Sequence, residues 1–351
     1  MLCFPNTELR GKKKKLKENL NPSQKNSLEN FQQRNELMAN RTTIKEFTLL
    51  GLNANPPLEL SLFLLLLGTY LLTLIGNTLI VIITLVNVQL CSPMYFFLRH
   101  LAWVDTVYMS TIIPKALVNI ATDTKSISLA GCFIQVFLYL VLGTTAFFLL
   151  ATMSVDRYIA ICNPLHYTTI MNPRICSLLV FSCLVGGLSL ILVISIPLFL
   201  MPFCGPNVMN HFFCDYGPLM KLVCVDTSFL EMTYFVVAIF SLLGTLSVNI
   251  VSYVKIISTI LHIPSATGRK KTFSTVASHM TMVTITYSSC IFMYVKPKGT
   301  IGLDYNKIVA LLNTVITPFI TPIVYSLRNR QLQDALKAEL RQRIGFVKKM
   351  R

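Results

Sequence analysis

Charge is what this 351-residue chain has least of: Asp, Glu, Lys and Arg make up 13% of it, against about 25% in an ordinary soluble domain. So few charges cannot cover the core implied by a 53% hydrophobic composition. That excludes an ordinary soluble domain and makes a membrane protein the default class. Also absent are a CxxC pair, an H-E-x-x-H stretch, a paired-Asp site and any cofactor motif, so no cofactor, no zinc site and no enzyme chemistry are expected. No nucleic-acid-binding motif accompanies the net charge of +16. The basic residues fall mostly in loops and at the two ends, where they read as a membrane-orientation signal rather than a nucleic-acid surface. Internal repeats and Gly/Ser-rich linkers are missing as well, so the hydrophobic part is one bundle.

What is present is a succession of long apolar runs. Crossing a bilayer as a helix takes about 20 such residues, and seven segments qualify: 60–86, 93–120, 126–155, 175–210, 232–254, 272–295 and 308–327. The second is the weakest, with Arg99, Asp105 and Lys115 inside it, and the last ten residues of the fourth look like loop. Runs of this length without period-two alternation predict helices rather than a barrel. The expected fold class is an all-α membrane protein, a seven-transmembrane helix bundle over 58–327.

An odd number of spans puts the two ends of the chain on opposite sides. The loops on the side of the tail, with the tail itself, hold fourteen Lys and Arg, and the opposite loops with the segment from Met38 hold eight. The positive-inside rule therefore places the C-terminus in the cytoplasm and the N-terminus outside. Residues 1–37 contain "GKKKKLKE" with no apolar stretch behind it and carry a net +4. This is no signal peptide, it reads as disordered, and its charge opposes outward translocation of the N-terminus. Translation from Met38 is expected to give the working protein, with 38–57 an extracellular segment and Asn40, in Asn40-Arg41-Thr42, a glycosylation acceptor on the outer side. Beyond the last span, in 328–351, Leu332, Leu336, Leu340 and Ile344 recur every four residues among basic ones. This predicts a short amphipathic helix with membrane lipid as its partner; a solvated tail helix is the alternative.

Cys204, Cys214 and Cys224 cluster in one polar stretch, and Cys132 opens a hydrophobic segment. Disulfides in an oxidising loop are the preferred reading; a metal site with His211 is the rival. Asp156 and Arg157 end the third run, where an interfacial position and mutual pairing reduce the cost of charge near hydrocarbon. Two readings fit them equally: a latch in which Arg157 holds Asp156 in one state and releases it in another, or a plain interfacial anchor.

"DRYIAICNPLHY", from Asp156 to Tyr167, resembles the cytoplasmic end of the third helix in olfactory receptors, a branch of the rhodopsin-like G-protein-coupled receptors. Gly76-Asn77, "PMYFFLRHLAWVD" (93–105), "SYVKII" (252–257), "KKTFSTVASH" (270–279) and "TPFITPIVYSLRN" (317–329) resemble the family on the first, second, fifth, sixth and seventh spans, in order. The resemblance runs from about Met38 to the C-terminus. It implies a plasma-membrane receptor of olfactory cilia that binds a small volatile odorant and raises cAMP through a stimulatory, olfactory-type heterotrimeric G protein. It makes Asp156, Arg157 and Tyr158 the activation latch, with Tyr253 and Tyr325 rearranging beside Arg157 and the 269–271 end of the sixth helix swinging outward. It also implies a Cys132–Cys214 bridge and a Cys204–Cys224 bridge.

Three positions depart from the family pattern: Ala146 where Glu is usual, Thr321-Pro322 where Asn-Pro is usual, and Val155 where Tyr is usual. Asp105 thereby keeps fewer polar neighbours. It either holds a sodium ion weakly or is neutral within a hydrogen-bond network, and the neutral reading is preferred because charge is costly at that depth. The ligand site implied by the resemblance lies between helices three, five, six and seven. The third helix would present Tyr139, Leu140, Gly143 and Thr144, and the fifth Val237 and Ser241. Tyr287, Cys290, Ile291 and Tyr294 would come from the sixth, and Thr314 from the seventh. None of these is charged, so a small apolar ligand with one hydrogen-bonding group is the expected guest. A rhodopsin-like receptor for a non-odorant small molecule is the nearest rival, and a transporter a remote one, because Asp105 and His279 are the only candidates for the mid-membrane polar sites a transporter needs.

Overall fold

A computed structural model describes residues 45–52, 56–122, 124–204, 207–294, 307, 309–328 and 332–338, with the side chains of 56, 57, 271, 275, 292–294 and 326–328 left out. Glu46 to Arg351 forms one compact unit. Its long helices are α1 (Pro56–Val86), α2 (Pro93–Ala121), α3 (Leu129–Cys162), α4 (Pro173–Leu200), α5 (Ser228–Leu261), α6 (Ala266–Tyr294) and α7 (309–328). They fall where the apolar runs do. Four of them, starting at Leu58, Leu129, Pro173 and Ser228, are long and apolar enough to cross a membrane by length and composition alone. Of the rest, α2 carries Arg99, Asp105 and Lys115, and α7 is shorter.

The bundle is apolar outside as well as inside. Leu60, Leu64, Leu72 and Ile75 of α1 are between 57% and 62% exposed, which water would penalise and lipid tails do not. Polar side chains face inward instead: Thr73, Asn77, Thr145, Ser154 and Asn249 are all buried. Helix α3 is the hub, packed against α2, α4 and α5. Two glycines permit close approach. A Cβ on Gly76 would meet Pro322 at 2.7 Å, and one on Gly187 would meet Thr145 Oγ1 at 2.7 Å and the Val141 carbonyl at 3.2 Å. These small residues seat α7 on α1 and α4 on α3.

Local sequence sets the helix ends. Ser128 caps α3, its Oγ accepting from Gly131 N at 3.1 Å, and Asn172 caps α4, accepting from Ile175 N at 3.0 Å with Pro173 at the first helical position. In α7 the stretch Leu312–Ile316 is a π turn leading into the α-helix Thr317–Arg328. Pro318 supplies no backbone N–H, so the wider turn sits where the regular ladder is interrupted.

Three expectations change. Residues 126–128 are not the start of the third span but strand β2 (Ser126–Ser128), and α3 runs to Cys162 rather than stopping at Val155. At 34 residues it is about 51 Å long, well beyond the roughly 30 Å of hydrocarbon, so its last two turns leave the membrane without breaking. The segment before α1 contributes β1 (Glu46–Leu49), which pairs antiparallel with β2 (Phe47 opposite Ile127) and parallel with β3 (Val208–Met209; Thr48 opposite Val208). Phe47 and Leu49 are fully buried beneath this small sheet. Finally, the tail is helical over 332–338, and Leu332 and Ala335 are buried against the bundle. The first turn of the amphipathic face therefore packs on protein rather than lipid; Leu340 and Ile344 lie outside the described residues, as do 1–44 with Asn40.

Candidate functional site

At the end of α3 opposite the sheet, Asp156 is fully buried and closed in on two sides. Arg157 donates to its Oδ2 from Nε at 2.9 Å and from Nη2 at 2.5 Å, while Tyr167 donates its phenol to Oδ1 at 2.8 Å. Tyr167 lies in the short helix Tyr167–Ile170 between α3 and α4. Burial, and then the Asp156 carboxylate, push its phenol further above the ordinary tyrosine range. The acid–base pair is thus in its engaged arrangement. Tyr158 is half-buried and packs against the main core. Tyr253 on α5 hydrogen-bonds His279 on α6. Tyr325 on α7 is fully buried, and its hydroxyl has no partner among the described residues. Both tyrosines lie within electrostatic range of Arg157 without bonding to it.

Toward the sheet end the helices part around a cavity of about 220 Å³, the liquid volume of about seven waters. Tyr139, Leu140, Gly143 and Thr144 line it from α3, Val237 and Ser241 from α5, Cys290 from α6 and Thr314 from α7. The π turn carries Asn313 and Thr314 to this wall, one turn before Thr317 and Pro318.

Two of the expected ligand residues, Tyr287 and Ile291, are placed differently, and a third lies outside the described side chains. Tyr287 does not line the cavity: its hydroxyl donates to Thr245 Oγ1 at 2.6 Å and accepts from Asn249 Nδ2 at 3.1 Å, tying α6 to α5. Ile291 is 39% exposed and away from the lining, while Thr286 occupies the wall instead. Tyr294 has no described side chain.

Two carboxylates outside the expected ligand set also line the cavity: Asp105 from α2 and Asp215 from the loop between α4 and α5. Thr321 of α7 lies beside Asp105, with its hydroxyl donating to the Thr317 carbonyl at 3.2 Å. Asp215 Oδ1 accepts from the Tyr139 hydroxyl at 2.6 Å. Counting along helices could not find Asp215, since a loop residue has no helical register.

That loop is tied down tightly. Cys132 at the start of α3 is bonded to Cys214, and Cys204 to Cys224 with Cα atoms 5.3 Å apart. Beside the first bridge, buried Gln135 donates Nε2 to the Thr111 carbonyl at 2.8 Å and accepts from Cys214 N at 2.9 Å. His211 stacks on Phe212 and meets Phe213 edge-on. The metal alternative lacks its thiolates, since Cys204 and Cys214 are both bridged.

A seven-helix bundle with this ion pair and this cavity has matching relatives. The family model described as olfactory receptor matches residues 66–343. The chain is 56% identical over 301 residues to Olfactory receptor 6E1 of Mus musculus, covering 86% of this chain and 96% of that protein. It is 47% identical over 300 residues to the human Olfactory receptor 2AP1, covering 86% and 97%. With the human Olfactory receptor 6C75 it shares 45% over 312 residues, 89% of this chain and all of that protein. The chain belongs to the olfactory receptor family. It is accordingly a seven-transmembrane G-protein-coupled receptor of the plasma membrane and not an enzyme. As an odorant receptor it couples ligand binding to a G protein. The cavity around Tyr139 to Thr144 and the Asp156–Arg157 ion pair lie toward opposite ends of the α3 hub.

Proposed function

We propose that a small, mostly apolar volatile enters the cavity between α3, α5, α6 and α7 and that its binding releases Asp156 from Arg157, opening a cytoplasmic cleft to a stimulatory G protein of the olfactory type. The observation that carries this reading is the pairing of a receptor-sized cavity at one end of α3 with a closed ion pair at the other. Binding moves the balance only by the ligand's difference in affinity for the closed and open bundles. Tyr253 is the group that exchanges its His279 partner for Arg157 as α6 moves, and buried Tyr325, whose hydroxyl has no partner among the described residues, joins them. Asp105 serves as a neutral hydrogen-bonding group with Thr321 on the cavity floor. The sheet end faces outward, with the disulfides and Asn40 glycosylation in the oxidising space, and the Arg157 end faces the cytoplasm of olfactory cilia. Residues 1–37 stand outside the receptor, and translation from Met38 preserves or improves surface delivery.

The test is a screen of surface-tagged cells against chemically diverse volatiles with a cAMP readout. A receptor that reaches the surface and answers none of a broad panel removes the odorant reading. A receptor that answers only involatile small molecules replaces it with the non-odorant one.

A further inference from the structure

The polar groups of the cavity are unevenly matched. Asp215 is held at its edge by the neighbouring Cys132–Cys214 bridge. Its Oδ1 is occupied, accepting from the Tyr139 hydroxyl at 2.6 Å and the Tyr216 N–H at 2.8 Å. Its Oδ2 accepts no hydrogen bond among the described residues. Elsewhere on the wall Asp105, only 6% exposed, has an Oδ2 that is likewise without a partner among them. Among the described residues no Lys, Arg or His lines the cavity. Ser241 and Thr314 turn their hydroxyl protons to carbonyls of their own helices, at 2.6 and 2.8 Å. Asp215 thus keeps an open acceptor position on a wall that, among the described residues, supplies no cation.

Resting on the odorant-receptor reading, we propose that this cavity selects ligands whose polar head is a hydrogen-bond donor, an alcohol, phenol or primary amine on a compact apolar body. The head donates to Asp215 Oδ2, and Tyr139 is a positioning residue that fixes the carboxylate. A donor meeting an ionised acceptor forms the stronger, charge-assisted type of hydrogen bond. A ketone or ether of the same skeleton displaces water from Asp215 and returns no proton, and stripping a polar group of its partner is far more costly than leaving a contact unimproved. Sites built to bond a polar group discriminate against analogues lacking it much more sharply than hydrophobic pockets discriminate by size.

The experiment uses the full receptor in cells, read by cAMP, with sets of volatiles sharing a carbon skeleton and bearing a hydroxyl, a primary amine, a ketone or a methyl ether. The donor-headed members are expected to reach half-maximal response at concentrations at least about tenfold lower, a difference of one decade in binding. Asp215→Asn keeps an oxygen for Tyr139 and Tyr216 but places an amide NH₂ at the open position, so the preference should vanish or invert. Tyr139→Phe removes the hydroxyl that fixes the carboxylate, so donor-headed ligands should lose potency several-fold while still acting at lower concentrations than the ketones and ethers. The proposal is overturned if ketones and ethers act at equal or lower concentrations on the unmodified receptor, or if Asp215→Asn reaches the surface with the preference intact. Should that variant stay inside the cell, the comparison on the unmodified receptor decides alone. A broad panel that draws no response overturns the receptor reading and this preference with it, whereas a preference for ketones overturns only the donor assignment.

Discussion

Tyr167, eleven residues beyond Asp156, donates to its Oδ1 at 2.8 Å while Arg157 holds Oδ2. The carboxylate is therefore a shared acceptor, and the loop after α3 is part of the closed state. A hydrogen bond to a charged group contributes about 1.5–3 kcal/mol, enough to move a two-state balance by one to two decades. Tyr167→Phe should raise ligand-free cAMP severalfold, because the closed arrangement loses one of its two restraints. Arg157→Ala should do the opposite to signalling, abolishing the ligand response with surface protein still detectable, since the group that must be released toward the G protein is gone. Unchanged basal cAMP in Tyr167→Phe would show the loop to be a bystander.

The helices could be read from the chain because charge-free runs of span length have few other uses. Their ends could not. Val155 looked like a terminus because Asp156 and Arg157 are charged, yet Tyr158 to Cys162 continue the same helix, and nothing local penalises a helix that leaves the membrane intact. The strands Glu46–Leu49, Ser126–Ser128 and Val208–Met209 are too short for periodicity, and distant pairing fixes them. In the cavity, positions in regular register such as Tyr139, Gly143 and Thr144 were legible. Tyr287 was not, because Thr245 and Asn249 on a neighbouring helix claim its hydroxyl. Asp215 and Gln135 act through a loop whose path the sequence does not reveal.

Gln135 joins the loop to α2, accepting from Cys214 N while donating to the Thr111 carbonyl. Gln135→Leu keeps the bulk, removes the tie to Thr111 and strands the buried Cys214 N–H, worth about 1–3 kcal/mol when unpaired. The purified receptor should unfold at a clearly lower temperature, with both disulfides still formed by mass spectrometry. No change in melting would mean that the Cys132–Cys214 bridge alone sets the loop.

Gly143 offers a way to fill the cavity without touching its polar groups. A Cβ there would meet Tyr108 Cε2 at 3.6 Å, an ordinary contact, so Gly143→Ala should fold normally, and the added helix propensity favours it by roughly 0.5–1 kcal/mol. Gly143→Leu extends three further carbons into about 220 Å³. It should cost the odorant response at least about tenfold in potency while Tyr167→Phe still raises basal cAMP in the same background. If the leucine variant responds like the parent, the ligand sits elsewhere.

His211 gives the loop between α4 and α5 a pH limit. The ring is 3% exposed between Phe212 and Phe213, and burial pushes its pKa below the ordinary 6.5, with Asp215 working against the shift and Lys307 adding to it. The folded loop therefore binds fewer protons than the unfolded chain. Its contribution is fully present above pH 6.5 and is lost as pH falls below that value toward the lowered folded pKa. Melting temperature should drop on acidification through this window, and His211→Phe, which keeps an aromatic ring and removes the titration, should flatten the dependence. Asp215 bonds Tyr139 at the cavity edge, so odorant potency should weaken over the same pH range in the parent and hold steady in the phenylalanine variant. A variant whose potency still fell with acidification would assign the sensitivity to a different group.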